Sequence, residues 1–258
     1  IIEAQNLQSL KFGTANAEKL TLAFWVKATK TGTHIVRLFL YDDDRSVSAS
    51  YTVSSSNTWE HKVLNFPADT TGVIDNDNGA GMQVSWFMGA GASFQSGTLA
   101  TTWGSNTTAN DAVGQVNGLD STSNNFHLTG IQLEVGEFSS TTLPPFQHES
   151  FGDNLRGCQR YFQECQTWSG GVVNSVSGYV NVTFFEVMRD TPSAGTTGAL
   201  NANDIDGNRD QSSAQITLHN ANTHGIMCQI GNFSSMTTNN PFFSRFQNNN
   251  KITLNAEL

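Results

Sequence analysis

Leu20, Leu22, Phe24 and Val26 recur at every second position through LTLAFWVKA, and the same period of two returns along the chain in short runs. Such alternation puts apolar side chains on one face of a pleated strand, so most of this chain can fold only as sheet. Residues 33–41 (THIVRLFLY) make a second run, and Val47, Ala49, Tyr51 and Val53 alternate through a third. Residues 59–66 form a fourth, stopped by Pro67, which cannot donate to a ladder. Residues 82–88 and 126–135 add two more, and beyond Trp168 the pattern returns at 178–184, 214–219, 225–230 and 252–258. Short strands with turn-rich gaps predict an all-β chain built as an antiparallel sandwich.

At 258 residues the chain is long enough for one large or two small domains. Only 14% of residues are charged, which suits strands and tight turns better than a helical enzyme. The net charge of −9 leaves no basic footprint, so nucleic acid is not an expected partner. Cys158, Cys165 and Cys228 are odd in number and irregular in spacing, so they predict buried free thiols made in a reducing cytoplasm rather than a disulfide framework. No signal peptide and no apolar run of transmembrane length is present, so no membrane insertion is expected. The chain opens at Ile1-Ile2-Glu3 without an initiator Met, which suggests a fragment or the distal part of a longer protein.

Only residues 149–166 carry a helical period. Leu155, Cys158, Phe162 and Cys165 follow one another at spacings of three, four and three, an a/d seam. One and a half heptads do not hold a coiled coil alone, so this stripe either docks on a sheet of its own chain or meets other copies. Gly157 would permit close approach of helices.

The stretch 89–123 is nearly uncharged and without period, and it exceeds an ordinary connection of about 12–15 residues. It reads as an ordered surface excursion. It carries Trp103 near Asn106 and Asn110, which makes Trp103 either an exposed contact or a loop anchor. Trp59 and Tyr41 are further aromatic platforms, whereas Trp86 lies in the apolar run VSWFM and reads as core. Trp25 alternates with Phe24 and so faces away from the core side of its strand. Flat aromatic faces stack on sugar C–H groups while amides take the hydroxyls, so Trp103, Asn106, Asn110, Trp59 and Tyr41 form the candidate ligand set.

Two acidic loops could hold a structural calcium, through Asp42 and Asp44 in one and Asp75 and Asp77 in the other. The same residues serve equally as turn formers that bond their own backbone. Asp204-Ile205-Asp206-Gly207 mimics part of an EF-hand loop, but the end carboxylates are replaced by Ala202 and Ser213. No nucleophile motif is present and no catalytic residue is expected.

Leu133-Glu134-Val135-Gly136, then Gln147-His148-Glu149-Ser150-Phe151-Gly152, then Cys158-Gln159-Arg160-Tyr161-Phe162 form a junction that closely resembles one in the tail-fibre and receptor-binding proteins of tailed bacteriophages. Met188-Arg189-Asp190-Thr191-Pro192 and the terminal Asn255-Ala256-Glu257-Leu258 resemble the C-terminal domain of the same fibres. The strand order and opening strand are also loosely similar to jelly-roll carbohydrate-binding modules, which often carry a structural calcium. These resemblances imply a jelly-roll-like sandwich over 1–146, a linking helix over 147–167 and a smaller C-terminal β-domain over 168–258. They also imply a homotrimer meeting along Leu155, Cys158, Phe162 and Cys165. The expected place is the virion, in contact with other tail proteins and with a host-surface glycan or protein receptor, after synthesis in the host cytoplasm. A virion decoration or connector protein and a carbohydrate-binding module of a secreted enzyme are the alternatives.

Overall fold

The computed structural model describes residues 1–244 and 250–257, and strands hold 42% of these described residues against 9% in helices. The chain is all-β, with antiparallel sheets. It divides into two compact units, Ile1–Gln147 and His148–Leu258, each with its own core.

Unit 1 is a two-sheet sandwich. Its strands are β1 (Ile2–Glu3), β2 (Leu20–Ala28), β3 (Gly32–Leu40), β4 (Arg45–Val53), β5 (Glu60–Phe66), β6 (Ala80–Trp86), β7 (Gly104–Ser105) and β8 (Phe126–Val135). One sheet has the order β1-β6-β3-β4-β7 and the other β5-β2-β8, so the chain changes sheet between β1 and β2, β2 and β3, β4 and β5, β5 and β6, and β7 and β8. Leu20, Leu22, Phe24 and Val26 of β2 meet Val36, Leu38, Leu40, Val47 and Met82 from the facing sheet. Each such side chain stabilises the fold by about 1.5–3 kcal/mol when fully buried.

The excursion at 89–123 folds onto this unit as a short helix α1 (Ala92–Gln95), the two-residue β7 and a 3-10 turn at Thr108–Asn110. It is pinned by charge. Arg37 meets the buried carboxylate of Asp111 at 2.5 Å, and the Ser48 hydroxyl donates to the Asp111 carbonyl at 2.8 Å. Arg45 grips Asp69 with two hydrogen bonds of 2.7 and 2.9 Å on a neighbouring loop.

Unit 2 opens with helix α2 (Phe151–Gln159). The Ser150 hydroxyl caps it by accepting from the Asp153 N–H at 3.2 Å. The strands are β9 (Phe162–Cys165), β10 (Ser169–Asn174), β11 (Ser177–Thr183), β12 (Ser193–Thr196), β13 (Asn201–Asp204), β14 (Gly207–Asp210), β15 (Ile216–Asn222), β16 (Gly225–Ile230), β17 (Pro241–Ser244) and β18 (Ile252–Asn255). A seven-stranded sheet of order β14-β13-β17-β10-β11-β16-β15 is accompanied by a three-stranded one, β12-β18-β9. Between them lie Cys165, Trp168, Val180, Cys228, Phe242, Ile252 and Leu254. Gly170 permits the closest approach in this sheet, because a Cβ there would sit 1.8 Å from the Tyr179 carbonyl oxygen.

The structure corrects the helix expected over 149–166. It ends at Gln159, and Phe162–Cys165 is strand, paired with β18 through Phe162 opposite Asn255 and Cys165 opposite Ile252. Long-range pairing overrides the helical spacing here. Leu155 and Cys158 therefore lie on α2, while Phe162 and Cys165 lie on a strand, where one is exposed and the other buried. The four residues share no single face. Cys158 is an exposed thiol, not a buried one, whereas Cys165 and Cys228 are buried. The final residue of the terminal AEL match, Leu258, lies outside the described residues.

Candidate functional site

The outward face of the β5-β2-β8 sheet carries two exposed indoles, Trp25 and Trp59. On β2 the residues that alternate with the core set are Ala23, Trp25 and Lys27, so an apolar-inward strand carries an indole outward. Trp25 stands opposite His61 on β5 and Thr129 on β8, and Lys27 stands opposite His127 on β8. Trp59 lies just before β5. The Lys27 ammonium sits 5.4 Å from its ring centroid, and the His127 ring is 6.3 Å away. The Trp25 and His61 rings lie 5.1 Å apart and tilt by only 31°. Trp25 and Trp59 are 44% and 42% exposed, which leaves a ring surface of each open to solvent.

A bulge shapes this face. Ala23 pairs with Gln132 but Trp25 with Thr129, so β8 carries one extra residue between them. Gly130 absorbs it at φ +57, in the left-handed region, and a Cβ there would meet the Trp25 ring at 3.2 Å. Diagonal neighbours on adjacent strands lie about 7–8 Å apart, so the two indoles are spaced as separate platforms on one surface. Imidazole nitrogens of His61 and His127 and the Thr129 hydroxyl supply donors and acceptors beside the rings. Such a surface can stack flat C–H faces and hydrogen-bond hydroxyls.

Only one of the five expected ligand residues belongs to it. Trp59 does. Trp103 does not: its indole N–H donates to the Pro67 carbonyl at 2.8 Å, its ring meets Phe12 edge-on at 5.5 Å, and it packs against the core. It anchors the excursion. Asn110 turns inward, its side-chain oxygen accepting from the Thr98 N–H at 3.0 Å, and the Asn106 side-chain oxygen is buried. Tyr41 is exposed but follows β3 of the other sheet and packs on Phe39. Trp25, His61 and His127 lie on this face but outside the expected ligand set. The sequence signal for this face is Trp25 itself, a large aromatic at an outward position of an alternating strand.

The two acidic loops do come together, since the Asp75 N–H donates to the Asp42 carboxylate at 3.0 Å. Burial pushes the Asp42 carboxyl above its ordinary range, and the nearby Asp75 and Asp77 charges add to this against the Asp75 hydrogen bond. The Asp77 carboxylate accepts from the Gly79 N–H at 2.8 Å, a turn-forming contact. Asp44 occupies the turn after β3 with φ 45, a left-handed conformation that Asp tolerates. Among the described residues no three His, Cys, Asp or Glu side chains are grouped to hold a metal ion. The EF-hand lookalike is a β-hairpin in which the Asp204 carboxylate is buried against Arg209 at 3.1 Å.

No helix among the described residues is long and apolar enough to cross a membrane. Comparison with protein-family models, with curated proteins and with solved structures found no match. Fold and face together define a class: an all-β protein of two sandwich units with an open aromatic sheet surface.

Proposed function

We propose that this chain is a non-enzymatic attachment module of a phage virion appendage, and that the Trp25–Trp59 face binds glycans of the host surface. The single observation that carries the reading is the pair of exposed indoles on one sheet face, each bordered by an imidazole. The resemblance of the Leu133–Gly136 and Cys158–Phe162 segments to tail fibres supplies the virion context.

Assembly as a homotrimer belongs to the same proposal. Helix α2 has only nine residues and buries none of them, and helices below about 12–15 residues are marginal without packing. Phe151 and Leu155 on α2 are 83% and 42% exposed, and Phe162 just beyond is 40% exposed. Phe185 and Val187 extend this apolar surface, held beside the helix by Arg156–Glu186 at 3.5 Å and by Gln163, which donates to the carbonyls of Gln159 and Glu186. Copies of the same chain give these side chains equivalent cover. Linked sites then raise avidity above single-site affinity, by about 100-fold or more.

The test is binding to host cells and purified surface polysaccharide, together with native mass. Ring contacts contribute on the order of 1 kcal/mol each, so Trp25→Ala with Trp59→Ala weakens binding by roughly tenfold or more while the fold stays intact. Leu155→Asp with Phe151→Asp dissociates the trimer. Absence of binding to any host surface by the wild-type protein moves the reading to a connector or decoration protein of the virion. A stable wild-type monomer that binds glycans moves it to a carbohydrate-binding module.

A further inference from the structure

Unit 2 carries a pocket of about 170 Å³ lined by Asn174, Val176, Ser177, Gln215, Thr217 and Gln229, among others, with no ionisable side chain in its wall. Its size is roughly that of the 150 Å³ cavity that holds a benzene ring, enough for one six-membered ring. Three side chains form an oriented chain of hydrogen bonds. The Gln229 amide donates to the Ser177 hydroxyl at 2.8 Å, and that hydroxyl donates to the Asn174 side-chain oxygen at 3.0 Å. The chain is fixed by the sheet: Ser177 is buried at the start of β11, and Gln229 pairs with Tyr179 on one side and Thr217 on the other.

Two further groups in the wall are free. The Gln215 carboxamide and the Thr217 hydroxyl make no hydrogen bond among the described residues. Gln215 lies over Gly231, where an added Cβ would come within 2.1 Å of its side-chain oxygen. A carboxamide and a hydroxyl each both donate and accept, which is the chemistry that reads a hydroxyl-rich ligand. A charged ligand would find no counter-ion here. An apolar one would cover the solvent-exposed Gln215 and Thr217 groups without giving them partners, which is costly.

We propose that this pocket is a second saccharide site, taking one neutral sugar ring through Gln215 and Thr217. It rests on the reading of the chain as a glycan binder but not on the Trp25–Trp59 face, which lies in the other unit.

The test uses saturation-transfer NMR on the full chain with the methyl glycosides of glucose, galactose and mannose, and with N-acetylneuraminic acid as the charged comparator. At least one neutral glycoside is expected to bind, and Thr217→Val and Gly231→Ala are expected to weaken it about fivefold or more. Thr217→Val removes only the hydroxyl from an exposed strand position. Gly231→Ala displaces the flexible end of Gln215, and Gly231 has no positive φ that alanine would strain. The Trp25→Ala/Trp59→Ala protein keeps this binding. The proposal is overturned if no neutral glycoside binds, if the charged sugar binds best, or if both unit 2 variants bind as the wild type does. Loss only in the double tryptophan variant also overturns it, and leaves the unit 1 face standing.

Discussion

The two units solve one problem, fixing irregular chain onto sheets, with different chemistry. Unit 1 uses buried charge: Arg37–Asp111 holds the excursion at 89–123, and Arg45–Asp69 holds the loop after β5. Unit 2 has one such buried pair, Asp204–Arg209 in the β13–β14 hairpin, and otherwise relies on neutral amides. Gln163 brackets the carbonyls of Gln159 and Glu186 and accepts from the Phe185 N–H. Gln211 likewise donates to the Gln215 and Gly231 carbonyls and accepts from Leu200 N–H. It also buries two thiols, Cys165 and Cys228, in its core. The lesson is that one architecture can carry two different sensitivities to pH and to single substitutions.

The sharpest way to break this comparison is to remove a buried carboxylate. Asp111→Ala leaves Arg37 without its partner, and losing one member of a buried pair costs about 3–5 kcal/mol. Hydrogen exchange read peptide by peptide should show unit 1 opening while unit 2 keeps its protection. Equal loss in both units would mean that they unfold as one and that the contrast is empty.

Trp103→Ala follows in size. The indole bridges Phe12 and the Pro67 carbonyl, so truncation leaves a void and an unpaired acceptor. A fall of about 3 kcal/mol in unit 1 stability is expected, with glycan binding nearly unchanged. Reduced binding at unchanged melting temperature would restore Trp103 as a contact residue.

Titration gives the smallest effect. Acid acts on unit 1, while in alkali the Tyr51 phenol of unit 1, pushed up by burial, responds only above about pH 10, later than the thiols of unit 2. Burial lowers the proton affinity of His34, only partly offset by its hydrogen bond to the Lys30 carbonyl. Unfolded imidazole takes its proton near 6.5, so stability from keeping His34 neutral is full above that pH and falls as pH drops. Burial pushes Asp69 upward, but the Arg45 hydrogen bonds and the Gly72 and Thr71 N–H groups outweigh it and hold its carboxyl below the ordinary range. Its contribution is full above about pH 3.9 and is lost as pH falls through its lower folded value. In unit 2 burial alone raises the Cys165 thiol to about 11 and the Cys228 thiol to about 12. Unfolded thiols ionise near 8.5, so that stability is full below about pH 8.5 and is lost above it. Unit 1 should therefore loosen first in acid and unit 2 first in alkali. In native protein near neutral pH a thiol reagent should modify Cys158 promptly, and Cys165 and Cys228 only after unfolding. Rapid modification of all three would contradict the buried-thiol account.

Local pattern made much of the fold legible. The period of two placed β2, β3, β4, β8 and β16 close to where they lie, because alternation along a strand depends only on the pleat. It could not place Phe162–Cys165. Those residues have helical spacing with the preceding turn, yet their backbone groups pair with Ile252–Asn255, nearly ninety positions away. The candidate site divides the same way. Trp59 could be chosen as an exposed aromatic, but its grouping with Trp25, His61 and His127 needs the register of three strands and the bulge at Gly130. The polar excursion around Trp103 leaves contact and anchor equally open, and only the contacts with Phe12 and Pro67 show it turned inward.

By itself the sequence determined that this protein is all-β, free of a disulfide framework in its spacing, and poor in charge. Those properties follow from side-chain alternation, cysteine spacing and composition, which act residue by residue. Tertiary structure alone decided which aromatic residues share a surface, which carboxylates are buried against arginines, and where the helix gives way to strand. Each of those depends on bringing together residues far apart in the chain, and local periodicity carries no information about distance through space.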